Sequence, residues 1–161
     1  MKNSLIIRFA QKKDIPLILE FIKELKIYEK IQDSITISEK ILYEHLFQKK
    51  YAEVLIAELQ KNPIGFALFF YSYSGYQGKP SIYIEDLFIK EMFRGRGYGK
   101  KILSFIANLA LERNCGRVEL CVFNWNKKAI TFYNSTGAKA MDTLIIYRLT
   151  GSDLQKYANL G

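Results

Sequence analysis

Residues 93 to 101 read FRGRGYGKK, three glycines and four cationic side chains in nine positions. Glycines let a backbone approach a ligand with no Cβ in the way. At the start of a helix, unsatisfied N–H groups and the positive end of the macrodipole add attraction for an anion. Together these features suit the holding of phosphate. Just upstream, Glu85 and Asp86 stand side by side in IEDLF, a pair that could accept a proton or hold a cation. Downstream, FYNSTGA carries Tyr133, a phenol able to donate one. His45 is the only histidine, and Cys115 and Cys121 are the only thiols. Histidine-based triads are thereby excluded, and too few ligands remain for an ordinary zinc site. Proton transfer falls to carboxylates, tyrosines, lysines or backbone, with no metal expected.

Two familiar phosphate loops fail on spacing. A Walker A loop needs four residues between its glycine and its Gly-Lys, then a hydroxyl. Gly95 and Gly99 are separated by three residues, and Lys101 stands where the hydroxyl belongs. The Rossmann pattern needs a third glycine where the chain has Lys100. What fits is R-x-x-G-x-G, formed by Arg94, Gly97 and Gly99, between a strand and a helix.

The elements that must position these residues read as α/β. LIIRF (5–9) is a strand. Asp14 caps a helix with Pro16 in its first turn, and Ile18, Phe21, Ile22 and Leu25 recur at helical spacing. Ser38 opens a second helix. YAEVLIAEL (51–59), a turn at QKNP and IGFALFFYSYS (64–74) make a hairpin, and SIYIEDLFIK (81–90) follows as a third strand. A helix leaves the basic turn, then come a strand at 116–123, a short helix ending near Gly137, and a last strand region in KAMDTLIIYRLT. Strand, helix and strand through the basic turn make a parallel pair, so the sheet is mixed. Residues 1–161 read as one domain. On an unbroken strand Glu85 and Asp86 would face opposite sides, and only a bulge would let them share a task.

Hydrophobic residues make up 49% of the chain and no segment approaches a membrane span or a leader's long apolar core, which suggests a soluble cytoplasmic protein. The two cysteines read as packed small hydrophobes. The net charge of +8 raises nucleic acid as a partner, but acids interleave with most of the lysines and the dense cluster ends at Lys101.

The basic turn resembles the acetyl-coenzyme A pyrophosphate loop of the GNAT superfamily of N-acetyltransferases. FNWNKKAITFYNSTGA resembles a second stretch of those enzymes, an asparagine opening a helix with a tyrosine ahead of a glycine-containing turn. IRFAQKKDIPLILEFIKELKIYEK and IGFALFFYSYSGYQGKPSIYIEDLFI extend the likeness over nearly the whole chain, toward the spermidine/spermine acetyltransferase branch. The resemblance implies a GNAT-like mixed, mostly antiparallel sheet with a parallel pair at the coenzyme site and helices on both faces. It implies direct acetyl transfer from acetyl-CoA to an amine in a ternary complex. Glu85 would act as base and Tyr133 as acid. Leu87, Phe88 and Ile89 would bind the pantetheine arm through their backbone. Arg94, Gly95, Arg96, Gly97, Tyr98, Gly99 and Lys100 would hold the pyrophosphate, and Asn126, Lys128 and Ala129 would touch the coenzyme. Tyr28, Glu29, Glu85 and Asp86 would contact the substrate. Enzymes of this branch are commonly homodimers, so one is expected here.

The acidic positions that the polyamine branch uses for distal ammonium groups are thinned: SYSGYQGK holds no acid, and only Asp142 follows Gly137 nearby. A diamine or a lysine-like amino acid is therefore as well suited as a polyamine. A protein N-terminus or lysine side chain stays open as substrate, and a basic nucleic-acid-binding module is the competing class.

Overall fold

The structure is a computed structural model that describes residues 4–33 and 36–160. Its coordinates fall into two compact units, one ending at Cys121 and one starting at Val122. The first is a five-stranded sheet in sequence order: β1 (Leu5–Phe9), β2 (Glu53–Leu59), β3 (Asn62–Ser74), β4 (Lys79–Ile89) and β5 (Val118–Leu120). The first three pairings are antiparallel, and β4 runs parallel to β5. The crossover between that parallel pair is the helix α3 (Tyr98–Glu112), as the strand–helix–strand order demands. The mixed sheet expected from the sequence is present.

Alternation along β3 sorts the core into two layers. Phe66 meets α1 (Ile15–Tyr28), where Phe21 stacks on it at 5.3 Å and contacts Phe88 at 6.1 Å. The neighbouring Ala67 and Phe69 join Ile84, Ile89, Ile102 and Ile106 on the α3 side. Ile18, Phe21 and Leu25 of α1 are buried as their spacing predicted, and Ile22 is half-buried. Helix α2 (Glu39–Tyr43) starts at Ser38, whose hydroxyl accepts the Ile41 N–H at 3.3 Å. It continues as a π-helical turn over Glu44–Gln48.

Asp14 departs from its expected capping role. Its carboxylate accepts Arg8 Nη1 at 2.7 Å and the Gln11 N–H at 2.7 Å, while Arg8 Nη2 reaches Glu58 at 2.6 Å. The guanidinium bridging two carboxylates raises its own pKa and lowers that of Asp14. Arg8, six residues earlier on β1, outcompetes the local helix N–H groups, held there by Glu58 of β2, fifty residues further along the chain.

The second unit holds α4 (Lys127–Asn134) and α5 (Gly151–Ala158). Here the expected last strand is corrected: residues 138 to 150 form no strand, and β5 is only three residues long. Leu144, Ile145 and Ile146 have strand propensity, but a strand exists only where a neighbour supplies ladder partners. Cys121 also differs from expectation, being exposed, whereas Cys115 packs at the edge of the core.

Candidate active site

The pairing of β3 with β4 slips by one residue at the two carboxylates. Leu68 pairs with Asp86 and Phe69 with Ile84, so Glu85 is the extra residue of a β-bulge. In an unbroken strand Asp86 would share the face of Ile84, toward α3. The bulge instead sets it opposite Leu68, on the α1 side with Phe88 and Tyr83. Tyr83 confirms the assignment, its ring lying 5.1 Å from that of Phe70. The condition under which the adjacent acids could share a task is met.

Asp86 lines an open pocket of about 270 Å³ walled by α1 and the loop after it. Ile22, Leu25 and Ile37 give it apolar walls, and Glu29 and Asp33 join Asp86 as its acids. Burial, then the charges of Glu85 and Glu29, push the Asp86 carboxyl up to about 7. Burial and Glu85 raise Glu29 as well. Such a cluster favours either a bound proton or a bound cation. Among the described residues no group of histidines, cysteines and acids is arranged to hold a metal ion. Sequence reasoning missed Asp33, an acid in an irregular loop with no pattern around it.

The basic turn follows a 3-10 turn at Glu91–Phe93. Gly95 and Gly97 have φ of 74° and 81°, the left-handed region that favours glycine, and a Cβ at either would point into open space. Gly97 caps α3. The Lys101 N–H bonds back to the Gly97 carbonyl at 3.2 Å, so the N–H groups ahead of it point out of the helix start. Arg96 and Lys100 are exposed, Tyr98 and Gly99 half-buried. Arg94 was assigned to the anion by its charge. In the structure its Nε donates to the Ile89 carbonyl at 2.8 Å, and its guanidinium lies 4.2 Å from the Tyr28 ring centroid and 5.4 Å from that of Phe88.

Leu87, Phe88 and Ile89 pair with Ala67, Phe66 and Gly65 on one edge. Along the other edge the register with β5 ends at Ile84. Beyond that point β5 does not occupy the β4 edge, which leaves ladder positions for another extended chain. At the last paired position's neighbour, the Tyr83 hydroxyl donates to Cys121 Sγ at 2.9 Å. Burial and that contact raise the phenol's pKa.

In the second unit Asn126 is buried, at 8% exposure, and its Oδ1 accepts the Ala129 N–H at 3.1 Å, capping α4. Tyr133 sits in the last turn of α4, half-buried, its ring edge-on to Phe132 at 4.9 Å. Its carbonyl accepts the Thr136 hydroxyl at 2.6 Å, which fixes the end of the helix. Lys128 is exposed and Ala129 half-buried.

Comparisons with known proteins place the chain among acetyltransferases. The chain is 37% identical over 145 residues to a thialysine N-epsilon-acetyltransferase of Sus scrofa, covering 84% of this chain and 85% of that one. It is 43% identical over 91 residues to the L-ornithine N5-acetyltransferase of Arabidopsis thaliana, which spans 56% of this chain and 40% of that one. An integron cassette protein from the mobile metagenome of V. cholerae superposes with a TM-score of 0.80 at 26% identity, covering 97% of this chain and 98% of that one. Residues 20–138 match the Acetyltransferase (GNAT) family, and with that match the chain belongs to the GNAT acetyltransferases, enzymes that take their acetyl group from acetyl-CoA.

Proposed function

We propose that the protein acetylates a primary amine of a small cationic molecule, a diamine, a polyamine or a lysine-like amino acid, by direct transfer from acetyl-CoA in a ternary complex. The observation that carries this reading is the bulge, which turns Asp86 into the pocket beside Glu29 with a proton affinity near neutrality. A primary alkyl amine is less than about one part in a thousand neutral at pH 7. A half-buried carboxyl titrating near the working pH is suited to take that proton. The relatives named for thialysine and L-ornithine support an amine that carries further charge.

Asp86 and Glu85 form the base as a pair. Asp86 accepts the proton, and the Glu85 charge raises its affinity for it. Tyr28 and Glu29 contact the amine from the end of α1. Acetyl-CoA supplies the acetyl group as an activated thioester. The open edge at Leu87, Phe88 and Ile89 holds its pantetheine arm, and an N–H near Phe88 or Ile89 supports the charge on the carbonyl oxygen. Gly95, Arg96, Gly97, Tyr98, Gly99 and Lys100 hold the pyrophosphate through backbone N–H groups and charge. Asn126, Lys128 and Ala129 contribute coenzyme contacts, and Tyr133 gives a proton to the departing sulfur. Residues 1–161 work as one domain. Ile145, 76% exposed, with Leu144, Ile146, Tyr147 and Leu149, makes an apolar row that suits a homodimer interface. No described helix is long and apolar enough to cross a membrane, and we place the enzyme in the cytoplasm.

The test is coenzyme A release from acetyl-CoA with spermidine, putrescine, lysine, ornithine, thialysine and a lysine peptide in turn. Turnover of a small amine is expected. Turnover of the peptide alone, or of nothing, removes the reading. Gly97→Ala, which forces a Cβ residue to φ of 81°, is expected to raise the KM for acetyl-CoA about tenfold, with the KM for the amine unchanged.

A further inference from the structure

We propose that Arg94 is a positioning residue for the amine pocket, joining the anion-binding turn to the end of α1, and that its guanidinium does not serve as a phosphate ligand. The inference rests on the reading of the Asp86 pocket as the amine site.

Three parts of the fold meet on this one residue. Its Nε is anchored to β4 through the Ile89 carbonyl at 2.8 Å. Its planar head covers the Tyr28 ring at 4.2 Å and lies 5.4 Å from Phe88. Its own backbone N–H closes the 3-10 turn on Glu91 at 3.1 Å, immediately before Gly95. Tyr28 is the last residue of α1, and the next residue, Glu29, lines the pocket with Asp86. The Glu29 N–H still bonds to the Leu25 carbonyl at 2.8 Å, so Tyr28 and Glu29 move as one helical turn. A guanidinium held over the Tyr28 ring therefore sets where the Glu29 carboxylate stands relative to Asp86.

Arginine suits this task because its plane stacks on a ring while an edge N–H donates in that plane. Lysine keeps the charge and loses both features. A phosphate ligand would respond differently, since lysine also binds phosphate as a point charge. The two roles thus separate in one substitution.

The experiment uses the full chain and an amine the native protein acetylates. Amine KM and kcat come from steady-state rates, and acetyl-CoA affinity from calorimetry. Arg94→Lys is expected to raise the amine KM about tenfold, with acetyl-CoA affinity within about twofold of native. Tyr28→Leu is expected to raise the amine KM too, and adding Arg94→Lys to it to give no further rise, as coupled neighbours show. In Tyr28→Phe, which keeps the ring, Arg94→Lys is expected to retain its full effect. Weakened acetyl-CoA binding with an unshifted amine KM overturns the inference in favour of a phosphate contact. A lowered Tm and kcat with an unshifted amine KM overturns it in favour of a purely structural role, as does additivity of the two substitutions. No amine turnover by the native protein removes the proposed function and this inference together. Native turnover with an unshifted amine KM in Arg94→Lys removes the inference alone.

Discussion

Asp86→Asn is expected to lower kcat/KM for the amine by about a hundredfold while making the folded protein more stable at pH 8. The activity loss follows from the base. General acid–base catalysis contributes about a hundredfold to ten-thousandfold, and asparagine keeps the shape but accepts no proton. The pH dependence carries the assignment. With the Asp86 carboxyl held at about 7 by burial and by Glu85 and Glu29, kcat/KM should fall as pH drops below that value. At pH 6 only about a tenth of the groups are ionised. In Asp86→Asn this acid limb should disappear. In Glu85→Gln, where one repelling charge is gone, it should move to lower pH. Because the three acids interact, the limb reports an apparent value of the cluster.

The stability arm runs through linkage. A carboxyl raised from 3.8 to about 7 on folding binds its proton more tightly in the folded state. The stability this contributes is present below the unfolded value and is lost as pH rises through the folded one. Above about pH 7 the native protein carries a desolvated, repelled charge that asparagine lacks. Thermal melts should therefore show Asp86→Asn above native at pH 8 and level with it near pH 4. An acid limb that survives in the folded variant would show that the proton goes elsewhere.

Tyr133→Phe is expected to lower kcat about a hundredfold, with acetyl-CoA affinity by calorimetry within about twofold of native. The ring keeps its edge contact with Phe132, and the Thr136 bond goes to the Tyr133 backbone carbonyl. The helix end should hold. The acid limb of the rate profile set by Asp86 should stay in this variant. Loss of the acid limb instead, or a native kcat, would remove Tyr133 from the proton path. A large loss of acetyl-CoA affinity would make it a binding residue.

The turn at residues 93–101 was legible because everything that shapes it is local. Positive φ at Gly95 and Gly97, the helix start at Tyr98 and the exposed charges of Arg96 and Lys100 all follow from residue type and spacing. The same holds for Ser38 capping α2 and Asn126 capping α4, since a cap needs only a short side chain and an N–H three residues on. The βαβ crossover made the parallel β4–β5 pair readable as well, because no shorter connection can join parallel strands.

Other features depended on partners far along the chain. Asp14 looked like a cap, but Arg8 takes its carboxylate while bridging to Glu58, fifty residues further along the chain. Leu144 to Ile146 looked like a strand, yet propensity supplies no ladder. Arg94 stands in the anion turn by sequence, and only the fold shows that its guanidinium also lies over the Tyr28 ring, 66 residues earlier. The sequence by itself determined which groups were available: an anion turn, two adjacent acids, and eleven tyrosines beside a single histidine, among which the family resemblance singles out Tyr133. Only the tertiary structure decided that those acids share a face, because a strand alternates by default and a single unpaired residue, Glu85, reverses the side on which every later residue falls.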